Sequence, residues 1–261
     1  MRIATWNINS VRLRIAHVLR FVEEYDIDVI CLQETKTEDK FFPINEFIKI
    51  GMKHYSFRGE KSYNGVAILS KIPIKNKNFK LWCDYKDTRH NCVILDNNIK
   101  IHNFYVPAGG DVPDVKLNVK FDHKINFLKE MIKYFNQVKL KRTILVGDLN
   151  IAPFEHDVWS HKQLLNVVSH TPMETELLIK IMKDSDWIDV GRKFFPKDEK
   201  LYSWWSYRNK YWKKSNRGRR LDHIWVSKDL DVILKSFLSC KEIRDWEKPS
   251  DHVPLILELS I

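Results

Sequence analysis

Two kinds of hydrophobic pattern alternate along the chain. Ile3–Ile8 is a short β-rich run that begins almost at the first residue. Val11, Ile15, Val18, Val22 and Tyr25 then recur at spacings of four, three, four and three. That is the stripe of an amphipathic helix, and Ser10 stands where its N-cap belongs. Asp28–Glu34 is a continuous apolar run ending in polar residues, the pattern of a buried strand. Val66–Ser70, Cys92–Leu95, Ile99–Val106, Thr143–Gly147, Leu221–Val226 and Val253–Leu259 read as further strands. Phe121, Ile125, Leu128, Ile132 and Phe135 mark a second long helix. Thr171-Pro172-Met173-Glu174 is a capping box with proline in the first turn, and it predicts a helix through about Lys183. No linker, fixed-period repeat or low-complexity tract interrupts the series. One α/β domain over residues 1–261 follows, with two layers of sheet and outer helices. Alternation alone also fits a parallel doubly wound sheet, but the many strand-to-strand connections between residues 64 and 106 favour mixed or antiparallel sheets.

Composition narrows the partners. Lys and Arg total 44 against 34 Asp and Glu, a formal charge of +10. Such an excess favours a polyanion, most often nucleic acid. With only 8 Gly and 9 Pro, collagen-like and disordered chains are excluded. No pair among Cys31, Cys83, Cys92 and Cys240 has CxxC spacing, which predicts free thiols in a reducing cytosol. No apolar run approaches the roughly 18 residues of a membrane span, and the N-terminus lacks the apolar region of a signal peptide. A cytoplasmic protein without membrane attachment is expected.

The chemistry sits where strands end. Glu34 follows an apolar strand, Asp148 and Asn150 follow Ile-Leu-Val-Gly, Asn7 and Asn9 interrupt the first strand, and Asp251-His252 precedes the last. Loops held by a rigid scaffold are where α/β proteins place catalytic groups. Oxygen ligands in this number suit Mg²⁺ or Mn²⁺ rather than zinc. Singly, each residue has a structural alternative: a solvated acid, a turn, or a loop cap. Their coincidence at strand ends carries the functional reading. Tyr207–Leu221 holds Arg208, Lys210, Lys213, Lys214, Arg217, Arg219 and Arg220, with Tyr211 and Trp212 interleaved and Trp204-Trp205 just before. Basic groups neutralise phosphates and aromatic faces stack on bases, which favours nucleic-acid contact over a merely solvated loop. No GxxxxGK[ST], GxGxxG, GxSxG or HExxH motif occurs.

These pieces together resemble exonuclease III-type AP endonucleases of the endonuclease/exonuclease/phosphatase superfamily. The matching runs span nearly the whole chain in family order. They are Trp6–Arg12, Leu32–Lys36, Tyr63–Ile68, Tyr105–Pro107, Gly147–Pro153, Tyr202–Arg208, Asn216–Asp222 and Glu247–Pro254. The resemblance implies a four-layered αββα sandwich, two largely antiparallel mixed sheets packed face to face. It implies a Mg²⁺-dependent phosphodiesterase, Mn²⁺ substituting, that cuts double-stranded DNA 5′ to abasic sites. 3′-Phosphodiesterase, 3′-phosphatase and 3′→5′ exonuclease activity on blocked ends, from a monomer, are also expected.

Residue roles follow from the same resemblance. Glu34 is the expected principal metal ligand, with Asn7 and Asp251 near the same ion. A second ion near Asp148, Asn150 and His252 is left open. Asp148 orients or deprotonates water, Asn150 and Tyr105 contact the phosphate or nucleophile, and Asp222 fixes the tautomer of His252. Whether Asp148 or His252 is the base stays open. Trp204, Arg219 and Leu221 form the abasic pocket, and Arg208, Lys213, Lys214 and Arg217 bind backbone phosphate. Two positions depart from the pattern: Asn9, where some relatives have Asp, and Arg219, where relatives usually have an apolar or aromatic residue. Arg219 is expected to swing out toward a DNA strand. A lipid-headgroup phosphatase of the same superfamily and a non-catalytic nucleic-acid-binding module are the competing readings.

Overall fold

Val29–Gln33 is apolar or buried at every position because both of its faces are covered. In the computed structural model, which describes residues 1–261, this strand (β2) lies inside a six-stranded sheet. Its other members are β1 (Arg2–Asn7), β3 (His54–Glu60), β4 (Tyr63–Ser70), β13 (Leu234–Ser239) and β14 (Leu255–Leu259), in the order β13-β14-β1-β2-β4-β3. The second six-stranded sheet runs β5-β6-β7-β8-β12-β9. These strands are β5 (Ile74–Asn78), β6 (His90–Leu95), β7 (Lys100–Tyr105), β8 (Thr143–Asp148), β9 (Trp187–Asp189) and β12 (Asp222–Ser227). β1–β2 and β7–β8 pair parallel and every other neighbour pairs antiparallel, so both sheets are mixed.

Alternate residues of each strand serve different layers. Ile3, Val29, Cys31 and Ile68 point between the sheets, where they meet Val93, Ile101, Ile144, Val146 and Ile224. The intervening Ala4, Trp6, Ile30 and Leu32 face outward onto α1 (Ile15–Glu24) and α2 (Ile44–Lys49) through Val18, Phe21, Val22 and Phe47. On the far side Phe104, Leu145 and Trp225 pack on α3 (Val119–Gln137) and α5 (Pro172–Asp184). The result is the four-layered αββα sandwich. Short helices α4 (His161–Leu164), α6 (Val190–Phe194) and α7 (Trp212–Ser215) lie in connections.

One element starts later than the pattern predicts. The first helix begins at Ile15, four residues into the stripe, and Ser10 does not cap it. Residues 8–14 are tied to the loop after β2 instead: Ser10 N donates to Glu34 O (2.7 Å) and Val11 N to Thr35 O (3.1 Å). The Thr171–Glu174 capping box forms as read.

Candidate active site

In both parallel pairs the strands end at one edge of the sandwich. Asn7 closes β1 beside Gln33 of β2, and Tyr105 closes β7 beside Asp148 of β8. Asp222 opens the antiparallel β12 opposite Asp148. Glu34, the residue after β2, turns in a left-handed conformation (φ 49°), as does Asn150 (φ 53°). Gly147 lets β8 approach β7 closely: a Cβ there would lie 2.0 Å from Phe104 O. The fold therefore drives six polar side chains into one place.

Asn7 is the hub between the sheets. Its Nδ2 donates to Glu34 Oε1 (2.9 Å) and to Asp148 Oδ2 (2.8 Å). Asn150 adds a backbone N–H to Asp148 Oδ1 (2.9 Å) and its own amide to Asp148 Oδ2 (3.2 Å). His252 Nδ1 donates to Asp222 Oδ2 (2.7 Å), and its Nε2 stands 3.8 Å from Asp148 Oδ2. Ser203 Oγ also donates to Asp222 Oδ2 (2.6 Å), fixing the carboxylate from behind. Tyr105, almost fully buried, has the Arg89 guanidinium 4.9 Å from its ring centre.

Electrostatics follow from crowding. Burial and the neighbouring Asp222 and Glu34 carboxylates push Asp148 up to about 7, against the opposing pull of His252 and the Asn7 amide. Burial alone would lower His252, but Asp222 and Asp148 outweigh it and raise the imidazole to about 10. Its cationic form is therefore favoured at neutral pH. Burial and the acids Glu34 and Asp148 hold the Tyr105 phenol well above its ordinary value, so it remains a hydrogen-bond donor. Burial opposes ionisation of Glu34, yet Lys36 and the Asn7 amide win and keep it ionised.

The donor set fits a divalent cation. Glu34, Asp148, Asp222 and Asp251 bring oxygen ligands to one edge, while the nearby cations are His252 and Lys36. Ligand atoms of Asp148, Asp222 and His252 lie within 4.8 Å of one another, and Asp222 Oδ1 is buried without a hydrogen-bond partner. The carboxylate oxygens are donors for a hard ion, while the His252 imidazole, held cationic, is not one of them. Asn7 is fixed beside these carboxylates by its own hydrogen bonds. Its Oδ1 accepts from Asn9 N (3.1 Å) and its amide N–H groups bridge the carboxylates.

Several contributors escaped the sequence reading. Lys36 Nζ pairs with Glu34 Oε2 (2.7 Å) and donates to Asn9 Oδ1 (2.6 Å), while Asn9 Nδ2 donates to Asp251 Oδ1 (3.1 Å). Asn9 is thus a neutral relay between Lys36 and Asp251. Lys36 lies inside the Leu32–Lys36 run, which was its only signal. Ser203 likewise lies inside the Tyr202–Arg208 run, and Arg89 had no signal, because its role arises from long-range packing.

Beside this centre lies a cavity of about 780 Å³ whose lining includes Trp159, Trp204, Arg208, Arg217 and Arg219. Trp204 joins the two: its Nε1 donates to Asp251 Oδ2 (2.9 Å), and it pairs with Arg219 in the short ribbon β10 (Trp204–Trp205) and β11 (Gly218–Arg219). Leu221 does not line the cavity; it packs beneath it with Ala152, Val158 and Leu164. Arg219 does not swing out. Its Nη1 donates inward to Val168 O (3.0 Å) and Ser169 Oγ (2.7 Å), because the ribbon anchors its backbone against that wall. Lys213 and Lys214 sit on α7, away from the cavity, and Lys213 is paired with Asp245 (2.6 Å). Arg220 is removed from the basic surface altogether, buried between Asp157 (2.8 Å) and Asp189 (2.9 Å).

Residues 4–252 match the Endonuclease/Exonuclease/phosphatase family. Exodeoxyribonuclease III of Haemophilus influenzae is 30% identical, with 99% of each chain covered. An exodeoxyribonuclease of Bacillus subtilis is 26% identical over the whole of both chains. Among solved structures, an AP endonuclease from Archaeoglobus fulgidus superposes over both full chains with a TM-score of 0.91 at 31% identity. The 3′ phosphatase NExo from Neisseria, bound to product DNA hairpin, gives 0.91 at 26% identity, again over both full chains. The chain belongs to the endonuclease/exonuclease/phosphatase family, in its exonuclease III-type AP endonuclease branch of DNA-repair nucleases.

Proposed function

We propose that the chain hydrolyses double-stranded DNA 5′ to abasic sites and clears blocked 3′ ends, using Mg²⁺ or, in its place, Mn²⁺. The observation that carries this reading is the meeting of Glu34, Asp148, Asp222 and His252 around Asn7 at the ends of both sheets. Glu34 and Asp251, with Asp148 and Asn150 nearby, would hold the cation. A cation held by these residues would supply positive charge against the phosphate and the 3′ leaving oxygen.

The remaining work belongs to side chains. Asp148, held by the Asn7 and Asn150 amides, orients the attacking water and accepts its proton. His252, kept cationic by Asp222 and Asp148, donates to a phosphate oxygen as the pentacovalent state forms. This assigns the base role to Asp148. Tyr105 donates its phenol proton to the phosphate, and Asn150 holds the nucleophile or phosphate. Trp204, Arg208, Arg217 and Arg219 line the flanking cavity, and Lys213 and Lys214 add phosphate contacts on the outer surface. Residues 1–261 act as one domain and as a monomer. Buried or half-buried free cysteines support a cytoplasmic setting, and no helix is long and apolar enough to cross a membrane.

End-group analysis of a duplex with one internal abasic analogue tests the reading. Cleavage leaving a 3′-hydroxyl upstream and a 5′-phosphate on the abasic residue is expected. A 3′-phosphate product, or no cut with either metal, would refute it.

A further inference from the structure

Arg14 is a buried cation bonded to no carboxylate. Three residues after Val11 and four before Val18, it falls on the apolar face of the first helical stripe, and it stands at the N-cap of α1. It is only 7% exposed. A charge withdrawn from water is ordinarily matched by an opposite one. Every acceptor of this guanidinium is instead a neutral oxygen. Nη1 donates to Ile8 O (3.2 Å) and to Asn9 O, Nε to Lys248 O (3.0 Å), and Nη2 to the Tyr207 hydroxyl (3.0 Å). Tyr207 in turn donates to Pro249 O (2.8 Å). One side chain thus joins the turn after β1 to the turn that leads into Asp251.

Both turns are strained. Asn9 (φ 47°), Ser10 (φ 87°) and Lys248 (φ 49°) hold left-handed conformations, which residues other than glycine keep only when their surroundings impose them. The guanidinium takes the carbonyls of two of the three, Asn9 and Lys248. These turns carry the carboxylates assigned above to the cation. Asn9 Nδ2 donates to Asp251 Oδ1, its Oδ1 accepts from Lys36 Nζ, and Lys36 pairs with Glu34. The placement of Asn9 therefore reaches both Glu34 and Asp251. From the second turn, Ser250 Oγ donates to Asn7 O (2.7 Å).

We infer that Arg14 is a positioning residue for the divalent cation, clasping the Asn9 and Lys248 turns so that Glu34 and Asp251 are arranged before the cation arrives. The inference rests on the phosphodiesterase reading above and adds to it a residue that acts through others. Without the clasp the turns relax toward less strained backbone. Apparent affinity then falls with the fraction of molecules still in the binding arrangement. A guanidinium suits the position because its N–H groups form a fixed planar fork that reaches several carbonyls at once, whereas an ammonium is a point charge on a flexible stem.

The test is Mn²⁺ binding to the full chain without DNA, read from the loss of the free-ion electron paramagnetic resonance signal. Arg14→Ala is expected to raise the dissociation constant about tenfold, the shift produced when about one molecule in ten keeps the arrangement. Arg14→Lys should fall between Arg14→Ala and wild type. Leu230→Ala, a truncation in the core between the sheets and outside both turns, should bind as wild type does even though it melts lower. On a duplex with one abasic analogue, Arg14→Ala should need about tenfold more Mg²⁺ for half-maximal rate, with kcat at saturating Mg²⁺ near wild type. An unchanged Mn²⁺ constant in Arg14→Ala overturns the inference. So does an equal weakening in Leu230→Ala, which makes the effect one of general loosening. Wild-type binding by Arg14→Lys overturns it as well, and that variant decides the matter if Arg14→Ala does not fold. If Glu34→Ala binds Mn²⁺ as tightly as wild type, the ion is held elsewhere and the cation site of the phosphodiesterase reading fails instead.

Discussion

His252 and Asp222 behave as one group at the scale of single residues. The 2.7 Å bond fixes which imidazole nitrogen carries its proton, and it supplies much of the charge that keeps the ring cationic. Removing either partner removes the same function. Asp222→Asn and His252→Asn should each lower kcat by about a hundredfold or more, and the double variant should lose little beyond either single one. Steady-state rates on an abasic duplex check this; losses that add fully in log rate would mean the two act independently. Glu34, Asp148, Asn150 and the Asp251-His252 pair could be picked from the sequence because polar residues at the ends of apolar strands are conspicuous, whereas Asp222 was found only through the Asn216–Asp222 run of the resemblance. Lys36 and Ser203 could not, since each matters only through a partner brought near by folding. Arg219 could be singled out by its departure from relatives, but not its direction, which the neighbouring segment at Val168 and Ser169 decides.

Between elements, one buried ion pair braces the site. Lys124 of α3 and Glu174 of α5 are both fully buried and paired. Lys124 Nζ also donates to Asn150 O (2.8 Å) and Ala108 O (3.3 Å), while Glu174 accepts from Ser169 N (2.9 Å) and the Thr171 hydroxyl (2.7 Å). The pair therefore ties the Asn150 turn to the wall that holds Arg219. Glu174→Leu leaves a buried ammonium unpaired and should cost about 3–5 kcal/mol, whereas Lys124→Met with Glu174→Leu should recover a large part of it. Denaturant unfolding measures both; an equal loss in the single and double variants would contradict the bracing role. The capping box that starts α5 was visible as Thr171–Glu174, but its Glu174 has a second role that no local pattern encodes. Likewise the strands with two covered faces (β2, β8, β12) stood out as apolar runs. β3, β5 and β13 did not, because they lie at or near sheet edges and are half-buried or exposed. The late start of α1 reflects competition: residues 8–14 find hydrogen bonds on the loop after β2 that outcompete a helical turn.

Across the whole molecule, buried histidines make stability depend on pH. Burial, helped by Arg220, lowers His223 to about 4, and burial with Lys100 lowers His102 to about 3. Both folded values lie below the unfolded one, so the unfolded chain binds more protons as pH falls. Their contribution is complete above about pH 6.5 and is lost downward through about 4 and 3, at up to about 1.4 kcal/mol per pH unit for each. Unfolding monitored from pH 7 to 4 should show this loss, and His223→Gln, whose amide can still donate to Ile151 O as Nε2 does at 2.8 Å, should flatten it. A slope unchanged by His223→Gln would contradict the assignment. The +10 charge belongs to this scale as well. It draws the molecule toward a polyanion, but with Arg220 buried and Lys213 paired to Asp245, fewer of the basic residues in Tyr207–Leu221 remain free for phosphate than their number suggests.

The central claim is that carboxylates at the ends of two sheets hold a divalent cation and cut the DNA backbone there. A duplex carrying one abasic analogue, incubated with the wild-type protein in Mg²⁺, with the wild-type protein in excess chelator, and with Glu34→Ala in Mg²⁺, tests it most directly. A single cut 5′ to the analogue in the first case is predicted, with none in the second. In the third, the rate should fall by about a hundredfold or more while the folded state is kept. Undiminished cleavage in chelator, or by Glu34→Ala, would contradict the account.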